Sequence, residues 1–297
     1  MMTFKQTCIA ICLTMGAFGA DSISAQETTG KSNVFIDYFW RPSDVDSNTA
    51  EQLRGYVIDA INETNRVNLI DVDSKSALAQ ERSRRETGDL SDGDDMERLA
   101  AMKEEGANAL IQGRITALTV ARHVTKEGSV YYDAVINYTL KAINPTNGKI
   151  ISTKTIKAGD EILNLQTSDT PDEAVMKVCQ TAKRGVKSFI EEAFPIMGTI
   201  LDKAEEKKDE FKSVYISVGS DAGVVKGNKF SICVERKIAG RTSHGVIGEA
   251  EVKSVEGGDI SLAEVKKGGK ELKKAMDAGQ TIIVKSIPKK ERAGFSI

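Results

Sequence analysis

The chain has 297 residues, of which 40% are apolar and 28% charged, a balance that excludes a disordered chain and a polytopic membrane protein. Forty-one Lys and Arg against 43 Asp and Glu leave a formal charge of −2, so no global basic excess points to nucleic acid. With only 2 His and 4 Cys, a His-rich metal centre or a four-Cys zinc site is disfavoured, and the length predicts about two domains of roughly 100–200 residues each.

The first element is a targeting segment. Lys5 supplies a positive charge, and the run from Cys8 to Phe18 is apolar but shorter than the about 20 residues that span a bilayer. Ile23-Ser24-Ala25 places a small residue before Gln26, so residues 1–25 are expected to be an export signal, with an uncut membrane anchor as the alternative. Cys8 and Cys12 sit inside the apolar run, too early for a lipid anchor. Cys179 and Cys233 then remain, on a predicted helix and a predicted strand. Two buried thiols are the plainer expectation, because a disulfide would have to join two domains.

Residues 26–195 read as an α/β domain. Val34–Phe39 forms a β-branched and aromatic strand. A helix follows over Thr49–Ile61, with Leu53, Val57, Ile58 and Ile61 on one face and Asn48 or Thr49 as its cap. Val67–Asp71 is a second strand and Ser74–Arg85 a second helix. An acidic loop, Gly88–Asp95, leads to a third helix, Met96–Glu105, ending at Gly106. Ala109–Val120 is a long strand, and Lys126–Ser129 a turn. Tyr132 to Ala142 then alternates apolar and polar residues with the period of a half-buried strand. Asn144-Pro-Thr-Asn-Gly148 is a hairpin turn before Ile150–Lys157, and one helix is predicted over Pro171–Ala193.

Pro195 marks the expected boundary. Residues 196–288 hold five or six short β runs separated by Gly, which read as a small barrel or sandwich, with one helical turn in Gly268–Gly279. Residues 289–297 are a tail. The fold class expected is α+β, a mixed sheet flanked by helices followed by a small all-β barrel. Charge divides unevenly: residues 1–195 carry 22 Lys and Arg against 28 Asp and Glu, and residues 196–297 carry 19 against 15. The second domain's excess gathers at Lys266-Lys267, Lys273-Lys274 and Lys289-Lys290. It is read either as a basic face for an anionic partner or, preferably, as surface Lys guarding edge strands.

No catalytic, cofactor-binding or metal-binding residue is assigned. His123 and His244 lie on different domains, and both are expected to be solvated loop residues, since neither neighbours a strained nucleophile turn. The acidic run Asp89–Asp95 misses the calcium-loop register, with Gly93 at position five and Ala100 at position twelve. Gly219 to Lys229 is rich in Gly but leads into a strand and lacks a terminal Gly-Lys-Ser/Thr, so it reads as tight turns rather than a phosphate loop. Two glycosylation sequons, at Asn62 and Asn137, have no meaning in a bacterial export context.

The order of elements carries a resemblance. Strands Val34–Phe39 and Val67–Asp71, the segment Gly106-Ala-Asn-Ala-Leu-Ile-Gln-Gly113 and the turn Asn144–Lys149 resemble the first domain of the curli-secretion-channel (CsgG) family. Its relatives are the penicillin-binding-protein activator LpoB and the TolB N-terminal domain. Val214-Tyr-Ile-Ser-Val-Gly219 and Gly223-Val-Val-Lys-Gly227 are similar to the small C-terminal barrel of the flagellar protein FlgT. The export signal, combined with the absence of a catalytic constellation, leads to the expectation of a non-enzymatic periplasmic protein. The expected partners are another envelope protein or a cell-wall component, with no nucleic acid on the charge balance, possible self-association and possible peripheral contact with the outer membrane. The curli channel is a lipoprotein with two membrane-spanning hairpins, and neither a lipobox nor such hairpins are expected here. A ring-forming secretion subunit is the alternative function.

Overall fold

A parallel strand pair begins the computed structural model, which describes residues 31–70, 103, 106–159 and 167–288. The export signal, Cys8 and Cys12, the helix Ser74–Arg85, the acidic loop, most of the helix Met96–Glu105 and the tail lie outside the described residues. β1 (Ser32–Ile36) runs parallel to β2 (Val67–Ile70) on one side and to β3 (Ala109–Val124) on the other. Parallel neighbours need a crossover, and α1 (Ser47–Thr64) supplies the one between β1 and β2. β4 (Val130–Ile143) and β5 (Ile150–Ala158) return antiparallel, giving the order β2-β1-β3-β4-β5.

Of the predicted stripe on α1, Leu53, Val57 and Ile61 are buried in the core and Ile58 is half-buried, while Ala60 joins the buried face. The cap, however, is Asp46 rather than Asn48 or Thr49. Its carboxylate accepts from the Asn48 and Thr49 N–H groups, while the Thr49 hydroxyl also bonds to it. Asn65 stops the helix at φ 51, in the left-handed region that Asn tolerates better than most residues.

The single helix expected over Pro171–Ala193 is two: α2 (Pro171–Thr181) and α3 (Arg184–Ala193). Ala182 and Lys183 between them keep helical dihedrals, so the fault lies in the hydrogen-bond ladder. The Ala182 carbonyl accepts instead from the hydroxyl of Tyr138, buried on β4, at 2.9 Å. Gly185 then brings α3 close to the sheet, since a Cβ there would lie 2.7 Å from Ile156 Cγ1. Gly113 does the same on β3, where a Cβ would strike the Phe39 ring at 2.3 Å.

The first hydrophobic core ends in sequence at Phe194 and the second begins at Ile196. The second core fills a closed barrel, with strand order β10-β7-β6-β11-β8-β9 and every pair antiparallel. Its strands are β6 (Met197–Lys207), β7 (Glu210–Ile216), β8 (Lys229–Ile238), β9 (Arg241–Val255), β10 (Ser261–Lys267) and β11 (Ile282–Ile287). Closure removes the free edges that an open sheet of these strands would expose. The expected helical turn near Gly268 is a nine-residue helix, α4 (Gly269–Asp277), which packs Leu272 and Ala275 into the barrel core. The molecule is thus α+β: a mixed sheet with helices, then a small closed barrel.

Candidate binding surfaces

The residues with chemical potential are spread over the fold. His123 is not in a loop; it sits on β3 with Nε2 3.1 Å from Asp133 Oδ2 and its ring stacked on Tyr131, centroids 4.8 Å apart. His244 is likewise on a strand, β9, opposite Glu235. Cys179 and Cys233 are free and buried, Cys179 in the core of the sheet half and Cys233 on β8. Burial, with a smaller contribution from Asp46, pushes the Cys179 thiol up to about 12, so it stays protonated and behaves as a small apolar side chain. The Gly-rich segment after β7 forms a short 3₁₀ turn, Ser220–Ala222, ending at Gly223 with φ 75. Among the described residues, no three His, Cys, Asp or Glu side chains gather as a metal site would require.

Charged and polar side chains are concentrated instead where the sheet half meets the barrel. Arg66, just beyond α1, places Nη2 3.7 Å from Glu191 Oε1 on α3, and both side chains are only 5% exposed. Its Nη1 donates to Ser286 Oγ on β11 at 3.2 Å. Ser286 Oγ also accepts from the Ile196 N–H, and the Ser286 N–H donates to Ile196 O at 2.8 Å. Burial depresses the Arg66 pKa below its ordinary value and the Glu191 charge opposes that shift, as expected of a guanidinium withdrawn from water beside its counter-ion. Beside this pair, Asn65 Nδ2 donates to Ser220 O at 2.9 Å. Gly223 lies so near the end of α1 that a Cβ would sit 2.4 Å from Thr64 O. A cleft of about 290 Å³ opens next to the contact, between Lys31 and Asn68 on one side and Gly219, Asp221, Gly258 and Asp259 on the other. None of Asn65, Arg66 or Ser286 has a local sequence signal, because each acts on a partner more than 120 residues away.

Two features of the sheet half face outward. β5 is an edge strand, since among the described residues it pairs with β4 alone, and its first two residues, Ile150 and Ile151, are 59% and 42% exposed. On the opposite side, β3 beyond Arg114 pairs only with β4 among the described residues. Val120 and Val124 are exposed on this outer stretch. Exposed aliphatic residues beside unpaired strand edges are a template for another strand.

The barrel presents a hairpin, β8–β9, that runs past the core. From Arg236 to His244 every residue is exposed, and the two-residue turn Ala239-Gly240 has φ 51 and φ 77, the type I′ pattern. Register places Ile238 opposite Arg241, and Arg236 opposite Ser243.

No family model matches this sequence, and no curated protein matches it. Solved structures are similar over about half the chain. Hypothetical protein CT253 from Chlamydia trachomatis has 10% identity and a TM-score of 0.36, covering 55% of this chain and 98% of that one. A PelC dodecamer from Paraburkholderia phytofirmans has 9% identity and a TM-score of 0.32, covering 56% and 89%. The LpoB C-terminal domain from Salmonella enterica has 14% identity and a TM-score of 0.29, covering 46% and 88%. These likenesses are shallow and partial, and no function is carried across from them.

Proposed function

We propose that this chain is an exported, non-enzymatic protein of the bacterial envelope that acts as an adaptor or assembly factor for another envelope protein or cell-wall component. In this reading residues 1–25 are a cleaved export signal, 26–195 a CsgG- and LpoB-like domain, 196–288 a barrel domain and 289–297 a tail. The observation that supports it best is the edge of β5, which among the described residues pairs with β4 alone and leaves Ile150 and Ile151 exposed. An extended segment of a partner adds to such an edge through main-chain hydrogen bonds, with its alternate side chains reading the flanking surface. A photo-crosslinker at Thr153 in living cells, followed by mass spectrometry, tests this. One recurrent envelope partner is the expected result. A robust hydrolase activity abolished by substituting His123 or His244 would sink the non-enzymatic reading.

The outer stretch of β3, residues 117–124, favours a second reading, a subunit of an oligomeric secretion ring. Two different free edges on one sheet permit head-to-tail association, which closes into a ring when the rotation allows. Mass photometry of the chain from Gln26 separates the readings: a monomer supports the adaptor and a discrete large species the ring.

A further inference from the structure

Among the described residues, five of the barrel's positive side chains make ion pairs and the others do not, and three of the unpaired ones gather on a single hairpin. Lys203, Lys212 and Lys266 each lie against a carboxylate of their own strand, and Lys267 and Lys273 against one of a neighbouring strand, so their charge is locally cancelled. Arg236, Lys237 and Arg241 do not: among the described residues none of the three has a carboxylate within ion-pair distance. Residues 235–246 hold these three cations and one acid, Glu235. The ladder separates them further. Residues directly opposite share a face and alternate residues return to it, so Arg236, Ile238 and Arg241 stand together while Glu235 is on the other face. Ile238 at the end of that face is 62% exposed. The guanidinium of Arg236 lies over Gly245, which has no side chain to cover it.

We propose that this hairpin docks the protein on an anionic phospholipid surface, with Arg236 and Arg241 donating to headgroup phosphates and Ile238 entering the boundary between headgroups and acyl chains. The guanidinium fork matches phosphate oxygens in geometry and charge. An aliphatic tip between two such forks offers no concavity for a peptide side chain, but it fits a plane of phosphates laid over hydrocarbon. The type I′ turn holds the face already formed, so little ordering opposes contact. The net charge of −6 on residues 1–195 is repelled by the same surface and turns the barrel toward it. This inference stands on the hairpin alone, so its failure would leave the β5 crosslinking result untouched.

The test is flotation of the purified chain from Gln26, which keeps every described residue and omits the apolar N-terminal run, with vesicles of phosphatidylcholine alone or containing phosphatidylglycerol. Binding is expected only to the phosphatidylglycerol vesicles and is expected to weaken as salt shortens the screening length. One cation near such a surface is worth about fivefold in affinity, so Arg236→Ser/Arg241→Ser should lose about 25-fold. Lys266→Ser/Lys267→Ser makes the same change in net charge at paired residues and should lose about twofold or less. Ile238→Ser should weaken binding while leaving its salt dependence intact. Circular dichroism confirms that each variant is folded. Equal losses in the two double variants, equal binding to both vesicle types, or no binding would overturn the proposal. Preference for soluble polyglutamate over the vesicles through Arg236 and Arg241 would overturn it in favour of an acidic protein partner.

Discussion

Replacing Tyr138 by Phe removes one oxygen from the largest fully buried side chain among the described residues and leaves the ring in place. The hydroxyl donates to Ala182 O at 2.9 Å, and Ala182 is itself 1% exposed. Burial, with a smaller contribution from Cys179, raises the phenol well above its ordinary value, so it remains a proton donor throughout the working pH range. In the variant the Ala182 carbonyl loses this donor and water cannot readily replace it, which costs about 1–3 kcal/mol. The ring keeps its stacking on Phe39, centroids 6.3 Å apart, and no cavity of side-chain size opens. We therefore expect a loss of about 2 kcal/mol, below the about 3–5 kcal/mol that truncating a buried aromatic to Ala costs. In urea, with a slope of about 2 kcal/mol per M, this moves the unfolding midpoint down by about 1 M. Amide exchange gives a second readout. The Val186 N–H bonds to Lys183 O at 3.2 Å across the fault, and its exchange should quicken in step with the lost stability. A variant within about 0.5 kcal/mol of the parent, with exchange over residues 182–186 unchanged, would refute this account of the α2–α3 fault.

Arg66→Met withdraws the cation 3.7 Å from the buried Glu191 carboxylate and should destabilise the protein by about 3 kcal/mol, whereas Arg66→Met/Glu191→Met should recover much of that loss; urea titration of both variants tests it. The Thr49 hydroxyl, followed by the Thr49 and Asn48 N–H groups, holds the Asp46 carboxyl below its ordinary 3.8, with partial desolvation opposing them. Because the folded-state pKa is the lower one, this contribution is complete above the ordinary value and disappears as pH falls through the depressed one. Thermal melts of Asp46→Asn against the parent should therefore converge at low pH, and a gap independent of pH would contradict the assignment. Lys208 and Asp209 form the β6–β7 turn at φ 53 and φ 58, so Lys208→Asn/Asp209→Gly should stabilise the hairpin by about 1 kcal/mol, read as a rise in Tm.

That last turn also explains where sequence reading stopped short. Without Gly or Asn in Glu205–Phe211 there is no turn signal, so β6 appears to end at Leu201 although it continues to Lys207. Gly240 and Gly245 together read as one loop, yet only Ala239-Gly240 turns and β9 begins at Arg241, which made His244 look like a loop residue. Where turn chemistry is conventional the boundaries are legible: Asn144–Gly148 separates β4 from β5 as expected. The fault between α2 and α3 was invisible because its cause, Tyr138, lies 44 residues away on another element.

Sequence alone determined which residues face inward on β4 and most of those on α1, because hydrophobic period depends only on each element's own geometry. It also pointed to a strand-rich second half beginning near Pro195. Tertiary structure decided the parallel placement of β1 between β2 and β3, the closure of six strands into a barrel, and the contact of Arg66 with both Glu191 and Ser286. It also sorted the barrel's lysines and arginines into cancelled and exposed charge. These outcomes depend on which distant surfaces meet once the chain has turned, and a local pattern of side chains carries no record of that.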